Sequence, residues 1–163
     1  MPKTGKEGPI SKPNKNGISI QAVENENQKF LTLKLINTGS KPIRAFNRDT
    51  SVVVNCEITS VTGSVWRQGP MEMIDPAYVL PDEGSFVTIP GHQSISVEVL
   101  QIPIYEKIRA GTYIATVNYD DVLGNSLASR TNVKAKSKVG RTENVKVLVE
   151  TNGHGYAHAK PIL

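Results

Sequence analysis

From Gly17 onward the chain is patterned with a period of two. Ile18, Ile20 and Ala22 alternate with Ser19, Gln21 and Val23, and Leu31, Leu33 and Leu35 with Thr32 and Lys34. Val52, Val54, Cys56 and Ile58 repeat the pattern, as do Ile95, Val97 and Val99, then Tyr113, Ala115, Val117 and Tyr119. In an extended chain successive side chains point to opposite faces, so this spacing gathers each apolar set on one side. Shorter strands are expected over 43–46, 64–67, 86–89, 126–135 and 145–150. Turn chemistry divides them: Asn37-Thr38-Gly39-Ser40 before Pro42, Thr62-Gly63, Pro90-Gly91, and Gly124-Asn125 as a hairpin signal. Residues 103–109 are the one place where a helical turn is expected. Seven or more short strands with turns between them, and no sustained 3.6-residue repeat, predict an all-β chain built as an antiparallel sandwich.

The flanks read differently. Residues 1–16 carry four lysines and three prolines around almost no apolar side chains. Such a segment buries too little surface to offset its ordering entropy, so a flexible basic arm is expected. Residues 151–163 are rich in Gly, His and Ala, and a loose tail is expected there. The sandwich domain is assigned to 17–150. At 163 residues the chain suits one domain with one core.

Arg109-Ala110-Gly111-Thr112-Tyr113 resembles the tyrosine corner of immunoglobulin-like domains. There the glycine lets the chain turn into the penultimate strand and the tyrosine hydroxyl bonds back to the backbone. Gly111 and Tyr113 are accordingly given structural roles. Arg109 stands where an acidic residue is common, and Ala115 where antibody domains carry a cysteine. A wider likeness runs from Gly17 to Tyr119. An apolar strand ends in Asn37-Thr38-Gly39-Ser40-Lys41-Pro42-Ile43, a pair turns at Thr62-Gly63 toward Trp66, and Ile89-Pro90-Gly91 and Ala110-Gly111-Thr112-Tyr113 follow. This layout is similar to that of bacterial intracellular proteinase inhibitors of the BsuPI type. The resemblance implies an immunoglobulin-like sandwich and an inhibitory loop, for which 68–77 is the candidate.

Composition and charge narrow the chemistry. The only cysteine, Cys56, has no internal partner, and its place in an apolar alternation reads as a small buried hydrophobe. A net charge of +4 attracts acidic surfaces without identifying a nucleic-acid binder. No apolar run reaches the ~20 residues of a membrane span. With Met1 as the native start a cytoplasmic protein is expected; with another start a secreted or surface-exposed place stays open. His154 and His158 sit four apart beside glycines, with no further ligands to complete a zinc site, and no metal or cofactor is expected. His92 reads as a turn residue. Asp82-Glu83 and Asp120-Asp121 read as solvated turn acids, since neighbours in sequence do not face each other across a cleft. No nucleophile elbow or phosphate loop occurs, so the chain is not expected to be an enzyme.

Two groups of residues remain as candidate binding surfaces. Trp66, Gln68, Met71, Met73 and Tyr78 fall in or beside the irregular middle of the chain and suit a protein or glycan contact. Arg130, Lys134, Lys136, Lys138, Arg141 and Lys146 form a basic stretch in which Lys134, Lys136 and Lys138 share parity, as on a lysine-protected edge strand. No aromatic residue is interleaved for base stacking, so nucleic acid is not the expected partner. The expectation is a non-enzymatic protein-interaction or assembly module, including self-assembly, with carbohydrate or polyanion binding as the alternative.

Overall fold

The computed structural model describes residues 6–24, 31–47, 56–60, 65–68, 80–99, 102–104, 109–153 and 155–162. The strands are β1 (Glu7–Ile10), β2 (Ile18–Glu24), β3 (Leu31–Asn37), β4 (Ile43–Phe46), β5 (Cys56–Ser60) and β6 (Val65–Gln68). They continue with β7 (Phe86–Ile89), β8 (Ser94–Val99), β9 (Ile102–Ile104) and β10 (Gly111–Val117). A short helix, α1 (Val122–Ala128), precedes β11 (Val145–Thr151) and β12 (Gly155–Pro161). One sheet has the order β1-β2-β3-β8, a second β6-β5-β10-β11-β12-β9, and β4 pairs with β7. The pairings among these strands are antiparallel, for example in β2–β3, β3–β8 and β10–β11. The chain is all-β.

Register explains the core. Ile20 pairs with Leu35 and Ala22 with Leu33, while Leu33 pairs with Val97. In the second sheet Tyr113 pairs with Val149, Ala115 with Val147 and Val117 with Val145. These inward residues of both sheets share one cluster, with Ile20, Leu33, Leu35, Val97, Val117 and Val147 all at 0% exposure. Each such side chain contributes about 1.5–3 kcal/mol through burial, and a one-residue slip would turn the whole set outward. Two antiparallel sheets meeting on one core fit a β-sandwich.

A smaller cluster lies beside this core. Phe46 on β4 and Phe86 on β7 meet edge to face, with centroids 5.1 Å apart, and Ala128 and Val133 complete the group. The chain between β10 and β11 folds back onto it. Gly124 of α1 sits against Phe46, where an added Cβ would lie 2.4 Å from ring atom Cδ1. Tyr119 inserts its ring beneath; its hydroxyl donates to the Phe46 carbonyl at 2.7 Å and accepts from the Phe46 amide at 3.1 Å.

Several segments differ from the sequence expectation. Part of the expected flexible arm 1–16 is strand β1, paired with β2 with a shift in register between Glu7 and Ile10. It is held by main-chain bonds that hydropathy does not register, and Pro9 is accommodated because β1 lies at a sheet edge. Most of the described tail within 151–163 is β12, paired with both β11 and β9. The expected turn at 121–125 and strand at 126–135 are replaced by α1 and an irregular run. Gly124 serves close packing there rather than a hairpin. Within the expected helical turn at 103–109, Pro103 and Ile104 belong to edge strand β9; residues 105–108 lie outside the described set.

Burial raises the Tyr119 pKa above its ordinary value of about 10. A folded-state pKa above the unfolded one gives stability that is complete below about pH 10 and lost as pH rises toward the folded value. Tyr119→Phe should therefore lose about 1–3 kcal/mol at neutral pH, because both Phe46 backbone groups lose their partner. Its stability should also fall less steeply than the wild type's above about pH 10. Urea unfolding across that range checks this; parallel pH profiles would remove the buried hydroxyl from the account.

Candidate functional site

The turns at one end of the two sheets converge. Register places Ile18 beside Asn37 and Ile36 beside Ser94, while Val117 and Val145 close the matching end of the second sheet. The connecting segments 11–17, 38–42, 90–93 and 118–144 therefore meet, and asparagine side chains fasten them. Asn14 Oδ1 accepts from the amides of Asn16 and Ile18, while its Nδ2 donates to the carbonyls of Val139 and Arg141. Asn16 Nδ2 also donates to Val139, at 3.0 Å. Asn37, fully buried, donates to the carbonyls of Lys41 and Ile89 and accepts from the Gly39 amide. Short amide side chains that bond nearby backbone are well suited to such turns. Gly91 is required at this junction, since a Cβ would lie 2.2 Å from the Ser40 carbonyl oxygen.

The 118–144 connection is pinned by a buried carboxylate. Asp121 is 4% exposed, and its Oδ2 accepts from the Ser137 hydroxyl and, at 3.0 Å, from the Gly140 amide. Asn125 braces the same strip, accepting from the Ser137 amide and donating to its carbonyl. Asp121 is thus a structural anchor and not the solvated turn acid expected. Glu83 does lie at the surface, but it is engaged. It pairs with Arg44 at 2.7 Å and accepts from the Lys134 amide at 3.0 Å. The Lys134 N–H first, and Arg44 second, hold its carboxyl below the usual carboxylate range. Its contribution is present above the unfolded value and lost as pH falls through the folded one.

Between the turn at 39–43 and Lys138 lies an open trough of about 450 Å³, with Asn37 and Asn16 also in its lining. Lys41 and Lys138 are both exposed, and neither has an ion pair among the described residues.

The candidate residues from the sequence divide among several places. Arg130, Lys134, Lys136, Lys138 and Arg141 all sit on the pinned connection and are exposed, and Lys146 follows on β11, also exposed. The shared strand face expected for Lys134, Lys136 and Lys138 is corrected: residues 129–140 contain no strand, and Lys138 touches β4 through one amide bond to the Arg44 carbonyl. Trp66 and Gln68 lie on β6, an edge strand separated from β11 by β5 and β10. Met71, Met73 and Tyr78 lie outside the described residues. Gly111 opens β10, and the Tyr113 hydroxyl donates to the Arg109 carbonyl, at the end of that strand away from Val117. His158 is on β12 opposite Glu150, and His154 lies outside the described residues. Among the described residues no three His, Cys, Asp or Glu side chains gather to hold a metal, and no helix is long and apolar enough to cross a membrane. Sequence reading missed Asn14, Asn16 and Lys41 and took Asn37 only as a turn residue, although Asn14-Lys15-Asn16-Gly17 carries the amide-before-glycine signature of a fixed turn.

Searches against protein-family models, curated proteins and solved structures found no match for this chain.

Removing the Asp121 carboxylate strands two donors. Asp121→Ala should lose about 1–3 kcal/mol and sharply increase amide exchange at Gly140, while Asp120→Ala should leave that amide protected. Hydrogen exchange followed by NMR decides; unchanged exchange at Gly140 in Asp121→Ala would mean the connection is held by something else.

Proposed function

We propose that this chain is an immunoglobulin-like interaction module that binds a protein partner and performs no catalysis. Strand order supports the architecture. β2, β3 and β8 are arranged as strands A, B and E of such domains, and β6, β5, β10 and β11 as C′, C, F and G. The Tyr113 hydroxyl bond to Arg109 falls at the start of the strand in the F position, where a tyrosine corner belongs.

The observation that carries the functional reading is the 118–144 connection. Stretches beyond about 12–15 residues without secondary structure of their own are uncommon in compact domains and tend to serve function when ordered, and residues 129–144 after α1 form one. This one takes the F–G position, at the end where variable immunoglobulin domains carry their binding loops. It is anchored by Asp121, Asn125 and Tyr119 while its outer surface carries Arg130, Lys134, Lys136, Lys138 and Arg141. Rigid support beneath an exposed polar surface suits recognition, because little loop entropy is then lost on binding. The inhibitor form of this reading uses 68–77, of which only Gln68 is described. A second reading, weak polyanion binding, is favoured by the same exposed basic groups, none of which has an ion pair among the described residues.

Lysine-acetylation footprinting of the chain isolated with its native partner tests this. Lys134, Lys136 and Lys138 should be protected in the complex, while Lys160 on β12 should react as in the free chain. Isolation only as a free monomer, or protection confined to Lys160, would overturn the proposal.

A further inference from the structure

We propose that the trough between Lys41 and Lys138 is a docking site for an acidic peptide segment, one with a carboxylate beside an apolar side chain. The inference rests on the interaction-module reading and names the chemistry of the partner. The trough, about 450 Å³, falls within the range of sites that hold a few side chains. Its two ammonium groups come from different segments, Lys41 from the turn after β3 and Lys138 from the pinned connection. Among the described residues no carboxylate contributes to the lining. Nearby, the Glu83 carboxylate is paired with Arg44 and accepts from the Lys134 amide. On residues 118–144 the five basic side chains, Arg130, Lys134, Lys136, Lys138 and Arg141, outnumber the three acids Asp120, Asp121 and Glu143. Positive charge therefore predominates where the surface is concave, in a chain whose net charge is already +4, and such clefts concentrate anions.

The rest of the lining selects among anions. Pro42 and half-buried Ile43 give the trough an apolar wall, which suits an aliphatic or aromatic side chain next to the carboxylate. Among the described lining residues no aromatic ring is present to stack on a sugar face. The cations are lysines, which act as point charges; among the described lining residues there is no arginine fork to grip phosphate or sulfate in two-point fashion. Asn37 spends its amide on Lys41, Ile89 and Gly39, so it forms a fixed floor rather than a ligand contact. The backbone of both lysines is held: Lys138 N donates to the Arg44 carbonyl at 2.8 Å, and the Lys41 carbonyl accepts from Asn37 at 2.8 Å. The two charges are therefore carried on a preorganised frame, which lowers the entropy cost of engaging them.

The test uses the full chain and a pool of fluorescein-labelled nonapeptides with Asp or Glu beside Leu, Ile or Phe, read by fluorescence polarisation at about 0.15 M salt. Binding should be saturable and should weaken roughly tenfold in each of Lys41→Glu and Lys138→Glu, as expected for a partly desolvated charge pair. Lys160→Glu, on β12, should bind as the wild type does, and all three variants should melt cooperatively. Equal binding by the Lys41→Glu/Lys138→Glu double variant would overturn the proposal. So would a heparin oligosaccharide or inorganic phosphate displacing the peptides at equal concentration, because the trough would then read charge alone. If the double variant still retains the native partner at full affinity, the trough assignment fails and the interaction module stands. Failure to isolate any partner, with no peptide bound, removes both.

Discussion

Tyr119 replaces a strand partner. Where β10 leaves its sheet, the phenol hydroxyl both accepts from and donates to the backbone of Phe46, giving β4 the pair of bonds that a neighbouring strand would otherwise supply. Buried backbone groups must be paired, and here a side chain does it from across the domain. The same ring lies in the main core with Val117 and Val139. One residue therefore couples the core, the β4–β7 pair and the long connection between β10 and β11. The β4–β7 pair also enters the main core through Ala45 and Ile89, so Tyr119 adds a polar tie to an apolar one already in place.

Around this joint, polar groups divide by role. Asp121, Asn125, Asn14 and Asn37 spend their hydrogen-bonding capacity inward, on the main chain of neighbouring turns. Lysines and arginines on the same segments point outward. On residues 118–144 five basic side chains stand against three carboxylates, Asp120, Asp121 and Glu143. The electropositive character of this loop end follows from that local excess, carried on a frame that the inward polar groups hold.

The alternating strands were legible because each has one buried face. Leu33 and Leu35, or Ala115 and Val117, are placed in the core by spacing alone, since any slip would expose them. What hydropathy did not register was held by other means. β1 has the sequence Glu-Gly-Pro-Ile, keeps Ile10 exposed and is retained by main-chain pairing. β12 is made largely of Gly, Ala and His, too small or too polar to give a strong alternation. In α1, Gly124 and Asn125 oppose helix propensity, yet contact with Phe46 and the bonds to Ser137 outweigh it, an override that only the tertiary fold can supply. The basic residues were legible as a charged stretch, but not the place of Lys138 in a trough, because Lys41 across from it belongs to a turn that spacing marks only by shape.

Gly8 of β1 is buried, and its missing side chain leaves room for Pro161 and Ile162, whose atoms would stand 3.2 and 3.5 Å from an added Cβ. The first and last strands of the described chain thus touch, although nearly the whole sequence separates them. Closing such a gap with a short covalent bridge would take little chain entropy. The described path from Lys6 to Ile162 is therefore close to a ring, so a version of it joined across β1 and β12 and reopened in an exposed surface turn should keep the same fold.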